Sequence, residues 1–386
     1  MKSNSNKLHW FTAIKLAGAF VAAIIGSGFA SGQELVQFFT VFGMAGAAGA
    51  ALISLIIYIV FTTELLRFGQ DMPADKHKAL FTVYFGEKAG AAIDWFCVIY
   101  IYGVFFIMLS GAGATLNQYF GWDNVFGSAL MAALCGFTVL LGLKKLVNIL
   151  GAIGPLLIFS TIAIGLYALI RNAANLGQVG EAIPSMNFLK AGPHWIVAGI
   201  LYPCFSLLTL TPVLPSMAAT AENKKTSAAA AVIGCFAFHA SLLILVFAMF
   251  ANLHLLDGMM VPNIALAATI HPGVSLFFSL MILLAIYSSA CPMMWGTASK
   301  LFKDEKSLKY KAGTVALILG GMTVSYYFPL DVLINFIFGL TGYVGAAALA
   351  AMFISKAIRK KKKAAFDAYS APCPGDGAGM TGGEME

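Results

Sequence analysis

Ten long apolar runs, separated by short polar or charged interruptions, account for most of the chain. They fall at residues 13–39, 43–66, 89–115, 125–143, 149–170, 195–217, 227–251, 273–299, 313–327 and 330–355. A helix needs about 20 apolar residues to cross a bilayer, and all but the ninth run reach or approach that length. The pattern predicts an all-α integral membrane protein with ten transmembrane helices. Lys2 and Lys7 ahead of the first run give it the look of a signal peptide. However, the run is too long for a signal h-region and contains Glu34, so a mature helix is expected there. The stretches 171–194, 252–272 and 67–88 are long enough to hold short surface helices.

Composition agrees with a lipid-embedded chain. Of 386 residues, 60% are hydrophobic and only 11% are charged. Soluble domains carry about 25% charged residues, so a water-facing surface cannot be covered here, and disordered, collagen-like and disulfide-scaffold classes fall on the same figures. The 39 glycines suit closely packed membrane helices.

A net charge of +7 would suggest nucleic acid in a soluble protein. Here the distribution decides otherwise. All but two of the 24 Lys and Arg, the exceptions being Arg171 and Lys190, fall in the termini and alternate loops that ten spans place on one side. The positive-inside rule then puts both termini in the cytoplasm. The basic balance is topology, and no nucleic-acid partner is expected. The partners expected are the lipid bilayer and a small-molecule solute, in a multi-pass cell-membrane protein whose oligomeric state the sequence leaves open. Residues 1–12 form a cytoplasmic N-terminus, and 356–386 a basic tail that loses order from about Ala364. Lys360 to Lys363 either touch anionic headgroups or serve as a stop-transfer flank.

No enzyme is expected, since no GxSxG, HExxH or P-loop pattern is present. Five of the six cysteines (Cys97, Cys135, Cys204, Cys235 and Cys291) lie in apolar runs without metal-ligand spacing and read as small helix residues. His239 is the one histidine deep in a run. It is either a proton or ligand group or a hydrogen-bonded packing histidine.

The first run holds Gly26-Ser27-Gly28, followed by Ser31, Gly32 and Glu34. Glycine costs about 1 kcal/mol relative to alanine inside a helix, so the cluster is a place to break one. Unwound backbone at membrane depth survives where it lines a cavity or is buried in protein, and its freed carbonyls and amides can hold ions. The alternative is glycine for close helix contact. Burying Glu34 costs about 2.5–3.5 kcal/mol on insertion scales. If helix resumes near Phe29, Ser31 and Glu34 share a face at i and i+3. A carboxyl beside a broken helix suits an amine, Na⁺ or a titrating proton; the alternative places Glu34 in interfacial water.

The sixth run carries Pro203, Pro212 and Pro215, with Ser206, Thr209 and Thr211 between them. Prolines remove backbone hydrogen bonds, and Pro203 and Pro212 are the expected break points. Two break-prone runs five spans apart cross the membrane in opposite senses, which is the mark of inverted repeats around a mid-membrane site. In the eighth run, the adjacent hydroxyls of Ser288 and Ser289 offer a hard-cation site, or else bond back to the preceding turn.

These features together resemble the amino acid–polyamine–organocation superfamily with its LeuT-type fold, ten helices in two inverted five-helix repeats with helices 1 and 6 discontinuous. Gly26-Ser27-Gly28 is similar to that superfamily's first-helix break. Gly32-Gln33-Glu34 with Gln37-Phe38-Phe39 is similar to the YkvI-like bacterial membrane proteins. The resemblance covers residues 10–355 and implies repeats at 13–170 and 195–355, joined by an extracellular loop at 171–194. It implies a solute site at Ser27, Gly28, Ser31, Ser206 and Thr209, with Tyr100 or Tyr102 closing it. It also implies a Na⁺ site at the carbonyls of Ala22, Ile25 and Ala285 and the hydroxyls of Ser288 and Ser289. No other cofactor is implied. Glu34 departs from the sodium-coupled amino acid symporters and adds an amine-binding or proton-carrying role. The expected function is secondary active transport of an amino acid or amine, coupled to Na⁺ or H⁺. The rival from another class is a ligand-sensing membrane subunit that keeps the fold without cycling, as in relatives resembling germinant receptors.

Overall fold

The computed structural model describes residues 7–25, 27–72, 80–141, 153–211, 213–218, 220–302 and 304–369, and among them there is no strand. The first apolar run is three helices: α1 (Trp10–Ile24), α2 (Ser27–Ser31) and α3 (Gln33–Phe38). Next come α4 (Gly43–Asp71), α5 (Leu80–Phe85), α6 (Glu87–Phe120), α7 (Asn124–Leu141) and α8 (Ile153–Arg171). Short turns surround α9 (Val179–Ala182), and the sixth run divides into α10 (Trp195–Leu210) and α11 (Leu214–Ala218). The chain ends with α12 (Lys224–Ala251), α13 (Pro262–Ala268), α14 (Pro272–Leu301), α15 (Leu308–Tyr327) and α16 (Leu330–Tyr369).

Among the described residues, five helical stretches are long and apolar enough to cross a membrane: Gln33–Asp71, Glu87–Phe120, Lys224–Ala251, Pro272–Leu301 and Leu330–Ile358. Leu156–Arg171 with Ala173–Ser185 qualifies as a pair bent by 76°. Trp10–Ile24, Asn124–Leu140 and Trp195–Leu210 are apolar but shorter. Two of those three stop where the chain breaks, at Ile25 and at Thr211.

Caps set several boundaries outside the apolar runs. Asn223 Oδ1 accepts from Thr226 N (2.9 Å) and starts α12. Ser307 Oγ accepts from Tyr310 N (3.1 Å), so α15 opens before the apolar run and reaches 20 residues. The last helix continues past Ala364 to Tyr369, beyond the expected loss of order. Lys-Ala-Ala sequence has high helix propensity and carries it on.

Long-range contacts sort the helices into two groups. In one, α1 packs on α12, and α4 packs on both α10 and α12. In the other, α6 packs on α14 and α7, and α15 rests against α6 and α7. The last helix lies along α10 and also reaches α6. Gly342 and Gly345 face Leu201 and Cys204, so that side chains there would collide with the α10 backbone. The close approach expected of membrane glycines is realised at this contact.

Pro203 does not break the sixth run as expected. The helix α10 passes through it from Trp195 to Leu210. A proline removes one hydrogen bond, whereas unwinding at this depth would strip several, and Tyr202, Pro203, Cys204, Leu207 and Leu208 are all buried here. The break comes about two turns later, between Leu210 and Leu214. Gly26 and Pro212, two of the other expected break residues, lie outside the described residues.

Candidate functional site

The site starts from where α1 ends. Ile25 is extended (φ −72°, ψ 90°), and its N–H still reaches Val21 O (3.0 Å). The last carbonyls of a helix lack intrahelical partners, so the end of α1 presents acceptors. Helix α2 lasts five residues before Gly32 turns the chain at φ +86°, a conformation that glycine adopts without steric cost. Gly32 N bonds Phe29 O (3.1 Å), and the Ser31 hydroxyl donates to Gly28 O (2.8 Å) while accepting from Gln33 N (3.2 Å). From α13, Asn263 Nδ2 donates to Phe29 O (3.1 Å) and Ala30 O (2.9 Å). Those bonds satisfy carbonyls released by the turn and pull α13 into the protein, where a surface helix was expected.

Glu34 stands in the first turn of α3, 6% exposed. Its Oε1 accepts from the Tyr202 hydroxyl (3.0 Å). Phe38, Phe39, Tyr58 and Phe238 surround the Tyr202 ring at centroid distances of 4.8–6.5 Å and fix its direction. The second oxygen, Oε2, lies over the Cα of Gly28, where any Cβ would collide with it. Gly28 is therefore inside α2 rather than at a break, and its missing side chain makes room for the carboxyl.

The carboxyl faces an internal cavity of about 150 Å³. Its walls are Ala22 to Ile25 and Gly28 from the broken first run, Tyr100, Val104 and Met108 from α6, and Tyr202, Phe205, Ser206, Thr209 and Leu210 from α10. Ser289 and Met293 of α14 and Phe338 of α16 complete it. The cavity therefore lies between the two helix groups. The Thr209 hydroxyl donates to Tyr100 Oη (3.1 Å) or to Phe205 O (3.2 Å), tying one group to the other.

Of the residues expected at a site, Ala22, Ile25, Gly28, Glu34, Tyr100, Ser206, Thr209 and Ser289 meet around this one cavity. Others do not. Tyr102 points away and donates to Leu317 O (2.7 Å) on α15, because two residues on a helix turn it about 200° from Tyr100. Ser31 is not on Glu34's face, since Gly32 interrupts the helix between them and Ser31 closes the turn instead. The Ser288 hydroxyl donates to Ala285 O (2.8 Å), bonding back to the preceding turn, and neither residue lines the cavity. Of the Ser27 side chain nothing is described. His239 packs rather than lining the cavity: its ring nitrogens face Cys235 O (2.9 Å) and the Ser54 hydroxyl (3.1 Å). Among the described residues, no three His, Cys, Asp or Glu side chains converge as a metal-ligand set.

Sequence reasoning missed Tyr202, Asn263, Phe205 and Phe338. Tyr202 had a usable signal: it precedes Ser206 by four residues on one helix face, and a buried acid requires a donor. Asn263 and Phe338 are distant in sequence from everything they touch, and no local pattern marks them.

No family model matches the chain. It is 26% identical over 363 residues to the uncharacterized membrane protein YkvI of Bacillus subtilis strain 168, covering 91% of this chain and 98% of that one. In fold it is similar to MhsT in complex with L-phenylalanine, with a TM-score of 0.56 at 17% identity over 90% of this chain and 98% of that one. A manganese transporter of Eremococcus coleocola gives 0.54 at 13% identity, covering 92% and 81%. Mhp1, a nucleobase-cation-symport-1 family transporter with bromovinylhydantoin bound, gives 0.51 at 16%, covering 84% and 74%. Identities this low speak for the fold, which is the LeuT-type arrangement in a multi-pass membrane protein.

Proposed function

We propose that this protein is a secondary active transporter of a small polar solute, an amino acid or amine, working by alternating access. The observation that carries the reading is a buried carboxyl, Glu34, facing a cavity between two helix groups, beside two interrupted apolar runs five spans apart. Ten spans are counted by taking α1 to α3 as the first and α10 with α11 as the sixth. Residues 13–170 and 195–355 are then inverted repeats, with both termini cytoplasmic.

In this mechanism the solute lies among Glu34, Gly28, Tyr100, Ser206 and Thr209. Rocking of one helix group against the other exposes it to each side in turn, with the interrupted helices as the moving parts. Tyr100 and Thr209 bridge the groups over the cavity, so solute contacts there bear directly on that motion. The coupling ion is either Na⁺, at the carbonyls of Ala22, Ile25 and Ala285 with Ser288 and Ser289, or a proton on Glu34. The Ser288–Ala285 bond uses the hydroxyl proton and leaves lone pairs on both oxygens for Na⁺. A monovalent ion supplies about 2.3 kcal/mol per 100 mV, and sharing one cavity couples its binding to the solute's. Support also comes from the fold's neighbours, whose names describe a manganese transporter, a nucleobase-cation symporter and a protein bound to L-phenylalanine.

Counterflow in proteoliposomes tests the proposal. Vesicles loaded with one candidate solute should accumulate the labelled form of the same solute, for at least one member of an amino acid and amine panel. Absence of exchange for the whole panel, under Na⁺ and proton gradients alike, would overturn it.

A further inference from the structure

We infer that the solute of this cavity is a small organic ammonium ion without a carboxylate. The inference rests on the reading of the cavity as the solute site, and it concerns which charge that site accepts.

The electrostatics of the wall are one-sided. Among the described lining residues Glu34 is the one acid, and none is Lys, Arg or His. Glu34 Oε1 is engaged by Tyr202, while Oε2 has no hydrogen-bond donor among the described residues and lies over Gly28 at the cavity wall. A buried carboxylate is stable when it is paired and bonded on its remaining lone pairs, so an ammonium N–H against Oε2 completes what Tyr202 begins. The C-terminal end of α1, Ala22 to Ile24, enters the same cavity. A helix C-terminus carries partial negative charge and free carbonyl acceptors, which also favour a cation.

The remaining wall selects an organic cation. Phe205 and Phe338 are stacked at 4.3 Å with their planes 8° apart, and both line the cavity with Tyr100 and Tyr202. Aromatic faces attract ammonium groups, and Val104, Met108 and Leu210 suit the attached methylenes. A metal ion would instead leave these apolar groups facing a hydrated charge. A carboxylate on the solute fares worse. It would meet Glu34 as a like charge, and among the described residues no Lys, Arg or His lines the cavity to receive it. A cavity of about 150 Å³ lies well below the roughly 300–1,000 Å³ of sites for drug-sized ligands, so the cation is small.

The test is thermal stability of the purified full-length protein with four probes of similar size: propylammonium, 1-propanol, propionate and alanine. Ligands that bind the native state raise the melting midpoint with concentration. Propylammonium should stabilise at concentrations at least tenfold below the other three, and Glu34→Gln should weaken its binding tenfold or more. Equal or stronger stabilisation by alanine or propionate would overturn the inference, as would no stabilisation by propylammonium. If Glu34→Gln does not fold, the alcohol decides on the wild-type protein, because it matches the amine in size and lacks its charge; parity with propylammonium refutes the inference. Amine binding without counterflow would sink the transport reading and leave this inference standing. Counterflow of alanine with no amine binding would do the reverse.

Discussion

The two ends of the helix assembly are closed by different chemistry. At the end away from Thr12 and Lys356, Gln37 of α3 is fully buried and donates from Nε2 to Asp331 O (2.8 Å). Its Oε1 accepts from Asn335 Nδ2 (3.1 Å), which also donates to Lys190 O (2.9 Å), and its own carbonyl accepts from Ala191 N (3.1 Å). One neutral amide thus ties the broken first run to α16 and to the loop before α10. At the end that holds the chain's N-terminal residues, the ties are charged. Lys356 pairs with Glu64, which also accepts from the Tyr84 hydroxyl (3.0 Å). Lys224 pairs with Asp71, and the Thr12 hydroxyl donates to Glu222 (2.7 Å). Buried amide bonds are directional and insensitive to salt, whereas exposed ion pairs are screened and worth about 0–1 kcal/mol. In the proposed cycle, then, one closure is held by geometry and the other answers to ionic conditions.

The largest expected effect breaks the geometric closure. Gln37→Leu removes a buried donor and acceptor and leaves the Asp331 carbonyl and one Asn335 proton without their partner. Unsatisfied buried groups cost about 1–3 kcal/mol each, and Asp331 and Asn335 are half-buried, so the two together should cost about 2–3 kcal/mol, the low end of that range. Melting midpoints at low and high NaCl measure it. The decrement should be the same in both, and a decrement that shrinks with salt would remove the contrast between the two ends.

A smaller effect is expected at the charged closure. Lys356→Met strands Glu64, which is 7% exposed, but Lys356 itself is half in solvent and Tyr84 still donates to the carboxyl. A fully buried pair broken on one side costs about 3–5 kcal/mol, and solvent screening discounts this one to about 1–2 kcal/mol. Glu64→Gln added to the variant should restore most of the loss, since the stranded charge is its source. If the double variant melts no higher than the single one, Glu64 is not what Lys356 balances.

The same contrast explains what could be read from the sequence. Each of the ten apolar runs coincides with a helix or a broken group of helices, because burial in lipid writes itself into local composition. The 313–327 run is short of a full span, yet Ser307 caps a helix that opens earlier; the cap is a polar signal that an apolar pattern ignores. Glu34 was identifiable because a charged group in an apolar run is costly and needs a reason, whereas Tyr100, Ser206 and Thr209 were placed at the site by the resemblance. The break near Pro203 was misplaced, since proline's local cost is outweighed by a buried face that only the folded protein reveals. Asn263 capping Phe29 and Ala30 from 233 or more residues away has no local trace at all. The charged closure lay in plain sight as Lys and Glu, but the pairing of Lys356 with Glu64 depends on which helix ends meet.

The smallest effect concerns the N-terminal segment and is best read through pH. Thr12 donates to Glu222, Asn223 Nδ2 donates to Lys7 O (2.7 Å), and His9 Nδ1 lies 3.9 Å from Glu222. The Thr12 hydrogen bond, helped by Glu222's own backbone and by His9, holds the Glu222 carboxyl below the usual carboxylate range. A carboxyl lowered in the folded state contributes stability above its unfolded pKa and loses it as pH falls through the folded value. Thr12→Ala should therefore lower the melting midpoint slightly at neutral pH, by less than Lys356→Met does. The gap between variant and wild type should close in acid, once Glu222 is protonated in both. A gap that persists unchanged below the carboxylate range would mean that Thr12 acts through packing of α1, and that the ionic closure does not extend to the N-terminus.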